Sequence, residues 1–124
     1  MKVLVVEPGC LPYERNVAGS SEIKSIIGEH PWAIYPFGEK IALLYNDDML
    51  DSDQPFNRSL PDGYGAIFGT FLLCGKNGNR FCSLSAEQAE QYKQHFCQAE
   101  VLLGFKGRMI LTRKVPVREK CVSR

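Results

Sequence analysis

Ile67-Phe68-Gly69-Thr70-Phe71-Leu72-Leu73-Cys74, followed at once by Gly75-Lys76-Asn77-Gly78-Asn79-Arg80-Phe81-Cys82, says most about the architecture. Residues 67–74 are almost wholly apolar, which predicts one central strand covered on both faces rather than a half-exposed strand with period-two alternation. Asn77-Gly78 supplies the positive-φ pair of a type I′ turn, so a short return strand is expected at residues 80–82. Working outward, Val3-Leu4-Val5-Val6 is the second run of this kind. Pro8-Gly9 turns the chain after it, and residues 13–17 are expected to come back alongside.

The remaining elements follow from helix and turn signals. Ser20 is a candidate N-cap for a helix with Ile23, Ile26 and Ile27 on one face and Gly28 as its stop. Residues 32–37 and 40–45 read as two strands joined across Gly38-Glu39 by a type II′ turn. Ser85-Ala86-Glu87-Gln88 is a capping box, with Ala89, Tyr92 and Phe96 following at helical spacing. Residues 107–115 form a last expected strand, which Pro116 confines to an edge. The expected class is α+β, with one mixed, mostly antiparallel sheet of five to six strands and two helices. Residues 1–104 are expected to form a single domain, and residues 105–124 a basic extension acting as edge strand or oligomerisation arm.

Residues 46–64 show neither period and are longer than an ordinary structureless connection, yet Met49, Leu50, Phe56 and Leu60 give them apolar anchors. This combination marks the segment for function. It overlaps an acidic stretch, Glu39, Asp47, Asp48, Asp51, Asp53 and Asp62, set against Lys40 and Arg58. Residues 105–124 carry seven bases against Glu119. The whole chain of 124 residues has a net charge of +1 and 44% apolar residues, an ordinary globular composition that calls for neither nucleic acid nor membrane. The start is apolar for only four residues before Glu7 and Pro8, too short for a signal peptide. Five scattered cysteines without a CxxC pair suggest reduced thiols and a cytoplasmic setting.

Catalytic and metal chemistry find little support. His95 and Cys97 stand two apart on a helix and point away from each other, and no G-x-S-x-G elbow exists. The cysteines and the two histidines lack paired zinc spacing, and the loop aspartates lack the glycine and terminal glutamate of a calcium loop. Gly69 to Lys76 has the wrong spacing for a phosphate loop, and Asn77 stands where a magnesium-holding hydroxyl is needed. The expectation is therefore a non-enzymatic protein with no catalytic residue, metal or cofactor. Nucleic acid is an unlikely partner, because the basic tail holds only Phe105 for stacking.

The opening Met1-Lys2-Val3-Leu4-Val5-Val6-Glu7-Pro8-Gly9 with Pro12-Tyr13, then Tyr35-Pro36-Phe37, Asn46, Asn57-Arg58, Gly69-Thr70-Phe71 with Gly75, and Ser83-Leu84-Ser85 occur in a consistent order over residues 1–100. Together they resemble a domain family of unknown function carried by phages and mobile elements of Gram-positive gut bacteria. The resemblance implies a small accessory protein of the host bacterial cytosol with an anti-defence role, and no activity. Two functions suit that setting. One is an oligomeric sponge that sequesters a nucleotide-type immune signal. The other is an interaction module that inhibits a host defence or restriction protein through its acidic segment.

For the sponge, the candidate ligand-binding residues are Arg58, Asn57, Asn46, Tyr35, Phe37 and Thr70. Arg58 offers a bidentate fork for phosphate. Asn57 and Asn46 offer paired donors and acceptors for a base edge. Tyr35 and Phe37, two apart on an expected strand, would face the same way as a stacking platform. Thr70 would present a hydroxyl beside Gly69. Each has a structural alternative: the aromatics as core, Asn57 as a loop cap, Arg58 paired with a loop aspartate, and Gly69 as a bulge.

Overall fold

The computed structural model describes residues 1–47, 54–61, 63–107 and 109–118. Among these residues ten strands and two helices follow in the order β1 (Lys2–Val6), β2 (Tyr13–Asn16), α1 (Ser20–Ile27), β3 (Pro31–Ile34), β4 (Ile41–Asn46), β5 (Phe56–Leu60), β6 (Gly65–Phe68), β7 (Phe71–Asn77), β8 (Arg80–Cys82), α2 (Ala86–His95), β9 (Ala99–Lys106) and β10 (Met109–Val115). The main sheet runs β2-β1-β7-β4-β3, with β8 added to β7, and two small sheets pair β5 with β6 and β9 with β10. Every strand pairing among the described residues is antiparallel. The fold is α+β, with a six-stranded main sheet.

The continuous apolar runs have a direct cause: each face of the sheet is covered by one helix. Leu4, Val6, Leu43, Phe71 and Leu73 pack with Ala89, Tyr92 and Phe96 of α2 and its C-terminal end. Their neighbours along the strands, Val3, Val5, Leu44, Leu72 and Cys74, pack on the other side with Ile23 and Ile27 of α1. Period-two alternation is present in the backbone but hidden in the composition, because both faces are dry. The α2 capping box forms as expected, with Gln88 N–H donating to Ser85 Oγ and Ser85 N–H donating to Gln88 Oε1. At α1 the N-cap is Gly19 rather than Ser20, and no side chain caps it.

Three expectations change. Residues 67–74 are not one strand. Gly69, at φ +82°, breaks the run, so Gly65–Phe68 joins β5 while Phe71–Asn77 runs through the main sheet. The long connection is also not structureless, since Phe56–Leu60 forms β5 against β6. Met49 and Leu50, its other expected anchors, lie outside the described residues. Finally, β3 stops at Ile34 and β4 starts at Ile41, so Gly38 sits in a longer turn than the two-residue hairpin. Period two therefore does not reach Tyr35 and Phe37. Phe37 packs with the α2-side cluster and Tyr35 with the α1-side cluster, on opposite faces, and they form no common stacking platform.

β9 and β10 pair with each other as an antiparallel hairpin, and residues 104 and 105 both lie in β9. The hairpin is tied back to the domain. Ser59 Oγ donates to the Glu100 carboxylate at 2.6 Å, and Arg118 donates from its backbone to Gly9 O and from its side chain to Pro8 O.

Candidate functional site

Two of the expected ligand residues are buried at the centre of the molecule. Between Phe56 and Arg58 the β5–β6 register slips by one residue, leaving Asn57 as the extra member of a bulge. A bulge lets two successive side chains turn toward the same side, and Asn57 and Arg58 are both 0% exposed. Asn57 Nδ2 donates to Val6 O at 2.9 Å and to Gly69 O at 2.8 Å. Arg58 Nη1 donates to Asn57 Oδ1 at 2.8 Å, while Nη2 donates to Cys10 O at 2.8 Å and Phe96 O at 3.0 Å. Burial lowers the guanidinium's affinity for its proton, and the nearby Glu100 carboxylate and Cys97 oppose that shift. Arg58 thus clamps the end of β1, the turn after it, β5 and the end of α2. Its partners among the described residues are backbone carbonyls and Asn57 Oδ1, and it is closed off from solvent.

Asn46 is structural as well. Its Oδ1 accepts from His30 N at 2.9 Å, closing the turn between α1 and β3. The same side chain explains Gly28, where a Cβ would stand 2.5 Å from Asn46 Cγ on a backbone at φ +131°. Thr70 lines a small polar cleft of about 210 Å³ with Glu7, Tyr13, Arg15, Ser25 and Ile26. There Tyr13 Oη donates to Glu7 Oε2 at 2.6 Å. The six expected residues do not meet at one place.

Of them, Tyr35 opens onto a larger cleft, about 520 Å³, lined also by Glu39, Lys40, Lys76, Asn77 and Gly78. It lies where the turn before β4 meets the β7–β8 hairpin. The β4–β7 register pairs Ile41 with Gly75, which sets Lys40 opposite Lys76, and Lys76 N–H donates to Lys40 O at 2.8 Å. Lys76 Nζ lies over the Tyr35 ring, 4.4 Å from its centroid. Sequence reasoning missed both lysines. Each flanks a turn glycine, but only the non-local pairing of β4 with β7 makes them neighbours, and no local signal carries that pairing.

Nucleophile chemistry gains nothing from the structure. Burial pushes the Cys74 thiol up to about 12, with Cys82 adding to the shift. Among the described residues Cys74, Cys82 and Cys97 are free thiols. Among the described residues there is no group of three or more metal-ligating side chains, and no helix is long and apolar enough to cross a membrane.

His95 packs edge-on against Phe37 and Phe96, with ring centroids 5.0 and 4.6 Å away. Partial burial against these rings lowers its pKa below the ordinary 6.5, Lys114 lowers it further and Glu100 opposes both. Because the residue is otherwise exposed, solvent screening keeps the effect small. The unfolded chain therefore binds this proton more readily than the folded one. The stabilising contribution of the neutral ring is present above about pH 6.5 and is lost as pH falls from there through the lower folded value. In thermal melts between pH 7.5 and 5, His95→Phe should flatten the acid-side loss of Tm relative to wild type. An unchanged slope would show that other groups set it.

No curated protein and no solved structure matches the chain. One family model does, and it covers the main sheet, both helices and the Arg58 clamp but stops before β9. The chain belongs to the family described as a domain of unknown function, DUF3846, matched over residues 1–97.

Proposed function

We propose that this domain is a non-enzymatic binder of a phosphate-bearing, nucleotide-type ligand, held in the cleft of Tyr35, Lys40 and Lys76. The observation that carries the proposal is the placement of two lysines side by side where the β4–β7 pairing begins, Lys40 in the turn just before β4 and Lys76 on β7. Like charges held side by side repel, and a bound anion turns that repulsion into attraction. Lys76 already leans on the Tyr35 ring, the partial compensation expected of a cation next to an aromatic face. A phosphate entering the cleft would draw the ammonium group off the ring and free the ring for a base. Glu39 at the rim suits a base amine or ribose hydroxyls. The volume, about 520 Å³, falls within the roughly 300–1,000 Å³ of small-molecule sites.

In the setting that the resemblance to phage and mobile-element domains implies, a binder of this kind would sequester a nucleotide-type immune signal inside the host cell. The supporting fact is a cationic cleft beside an aromatic ring. Calorimetric titration with a panel of mononucleotides and cyclic dinucleotides tests the reading. We expect saturable binding that weakens with salt, a loss of about tenfold for Lys40→Ala or Lys76→Ala, and about a hundredfold for the pair. Both lysines are at the surface, so Tm should hardly move. Ligand released by heat should have its original mass. No saturable binding, or a double variant that binds as well as wild type, would refute the site. A chemically altered ligand would make the domain an enzyme.

A further inference from the structure

The lysine cleft does not end at its lysines. Lys76 pairs directly with Phe81 across the β7–β8 hairpin, so both side chains lie on one face of the sheet. That face is the one α1 covers, since Lys76 Nζ sits over the Tyr35 ring and Tyr35 packs with the α1-side cluster. On it Phe81 lines a second depression of about 370 Å³, with Ile23 of α1, Pro31, Trp32 and Ala33 of β3, and Leu44 of β4. Lys76 and Phe81 are therefore the border between a cationic cleft and an apolar trough. The trough is open from above: Phe81 is 44% exposed, whereas Leu44 is 3% exposed.

The chemistry of the trough selects its occupant. The side chains of Ile23, Pro31, Ala33, Leu44 and Phe81 carry no hydrogen-bond donor or acceptor. A second nucleobase or a sugar lying on them would leave its polar edge unpaired, whereas a hydrocarbon gains by leaving water. The positive charge at one end fixes the polarity of that occupant, with an anionic head at Lys40 and Lys76 and an apolar tail running away from them. There is room for a chain: Leu44 pairs with Leu72, about 13 Å along β7 from Lys76. From the shared border and the opposite characters of the two clefts, we infer that the ligand of the lysine cleft is an amphiphile, a phosphate ester whose hydrocarbon group lies in this trough. The inference rests on the lysine cleft binding phosphate, and it adds that the rest of the ligand includes an apolar group.

Calorimetric titration of the full chain with n-alkyl phosphates from ethyl to dodecyl, each kept below its micelle concentration, tests it. Wild-type affinity should rise about two- to fourfold per added methylene and level off once the chain outgrows the trough. Phe81→Ser removes one wall at an exposed position and should flatten that rise while ethyl phosphate binds as before. Ala33→Glu, which sets a carboxylate in the trough from a half-buried position on the edge strand, should flatten it too. Lys40→Ala/Lys76→Ala should weaken the whole series by a common factor and leave the rise per methylene intact. Circular dichroism should show each variant folded. Affinity that does not grow with chain length overturns the trough and leaves the lysine reading standing, as does a full rise in both trough variants. Decanol that binds as tightly as decyl phosphate overturns the joined site from the other end, since the lysines then hold no phosphate.

Discussion

Arg58→Ala is expected to destabilise the domain by about 3–5 kcal/mol, from buried acceptors left unsatisfied and the cavity opened by a large side chain. For a domain of this size that corresponds to a fall in Tm of ten degrees or more. Guanidinium N–H groups donate to Cys10 O, Phe96 O and Asn57 Oδ1 at 2.8–3.0 Å, all inside the protein. Truncation leaves those oxygens dry and unpaired and opens a void where the largest fully buried side chain stood. Arg58→Lys keeps the charge but offers three donors from one nitrogen, which cannot span acceptors that the planar fork reaches from two. Arg58→Met fills the volume and satisfies none of the oxygens. The expected order of stability in urea melts is Arg, then Lys, then Met above Ala. A loss under about 1 kcal/mol for the alanine variant would mean that the clamp is incidental. The sequence-level expectation for a ligand-binding Arg58 is the reverse, lost binding with an unchanged melting point, and full burial of the side chain is the reason for the change.

The contrast shows what a sequence of this kind reveals. Buried strands announce themselves through composition, which is why residues 3–6 and the capping box at Ser85 read correctly. The split of residues 67–74 was legible only in part. Gly69 and Thr70 interrupt the run chemically, but whether an interruption is a bulge or a change of sheet depends on β5, which lies in a segment without periodicity. β5 itself is obscured by its bulge. An asparagine and an arginine in succession look like loop surface, and only the placement of Val6 O, Cys10 O, Gly69 O and Phe96 O around them makes their burial favourable. The same logic hid the lysine pair. Lys40 and Lys76 are 36 positions apart and become neighbours through a pairing that closes across β5 and β6. The residues that the sequence singles out thus divide into two kinds here. Asn46, Asn57 and Arg58 hold the fold together, whereas Tyr35 and Thr70 open onto clefts.

Asn57→Asp gives the second large effect, and it tests whether the clamp acts as one unit. The substitution keeps shape and retains an acceptor for Arg58 Nη1, but it removes both N–H donors that serve Val6 O and Gly69 O. Those carbonyls would instead face a carboxylate oxygen at 2.8–2.9 Å, an acceptor against acceptors in a dry site. Some of the loss is offset by attraction to the Arg58 guanidinium, so we expect about 2–4 kcal/mol rather than the full penalty of an isolated buried charge. Asn57→Ala loses all three hydrogen bonds and should be at least as damaging. The informative quantity is the coupling. Because Asn57 Oδ1 is itself one of the acceptors of Arg58, the Asn57→Ala/Arg58→Ala pair should be less destabilised than the sum of its singles by about 1–3 kcal/mol. A coupling near zero would mean that each residue supports a separate part of the molecule, Asn57 the junction of β1 and β7 and Arg58 the end of α2. A large coupling would mean that the β1 turn, the β5 bulge and the α2 terminus open together, so that hydrogen exchange in all three should rise in parallel when either residue is removed.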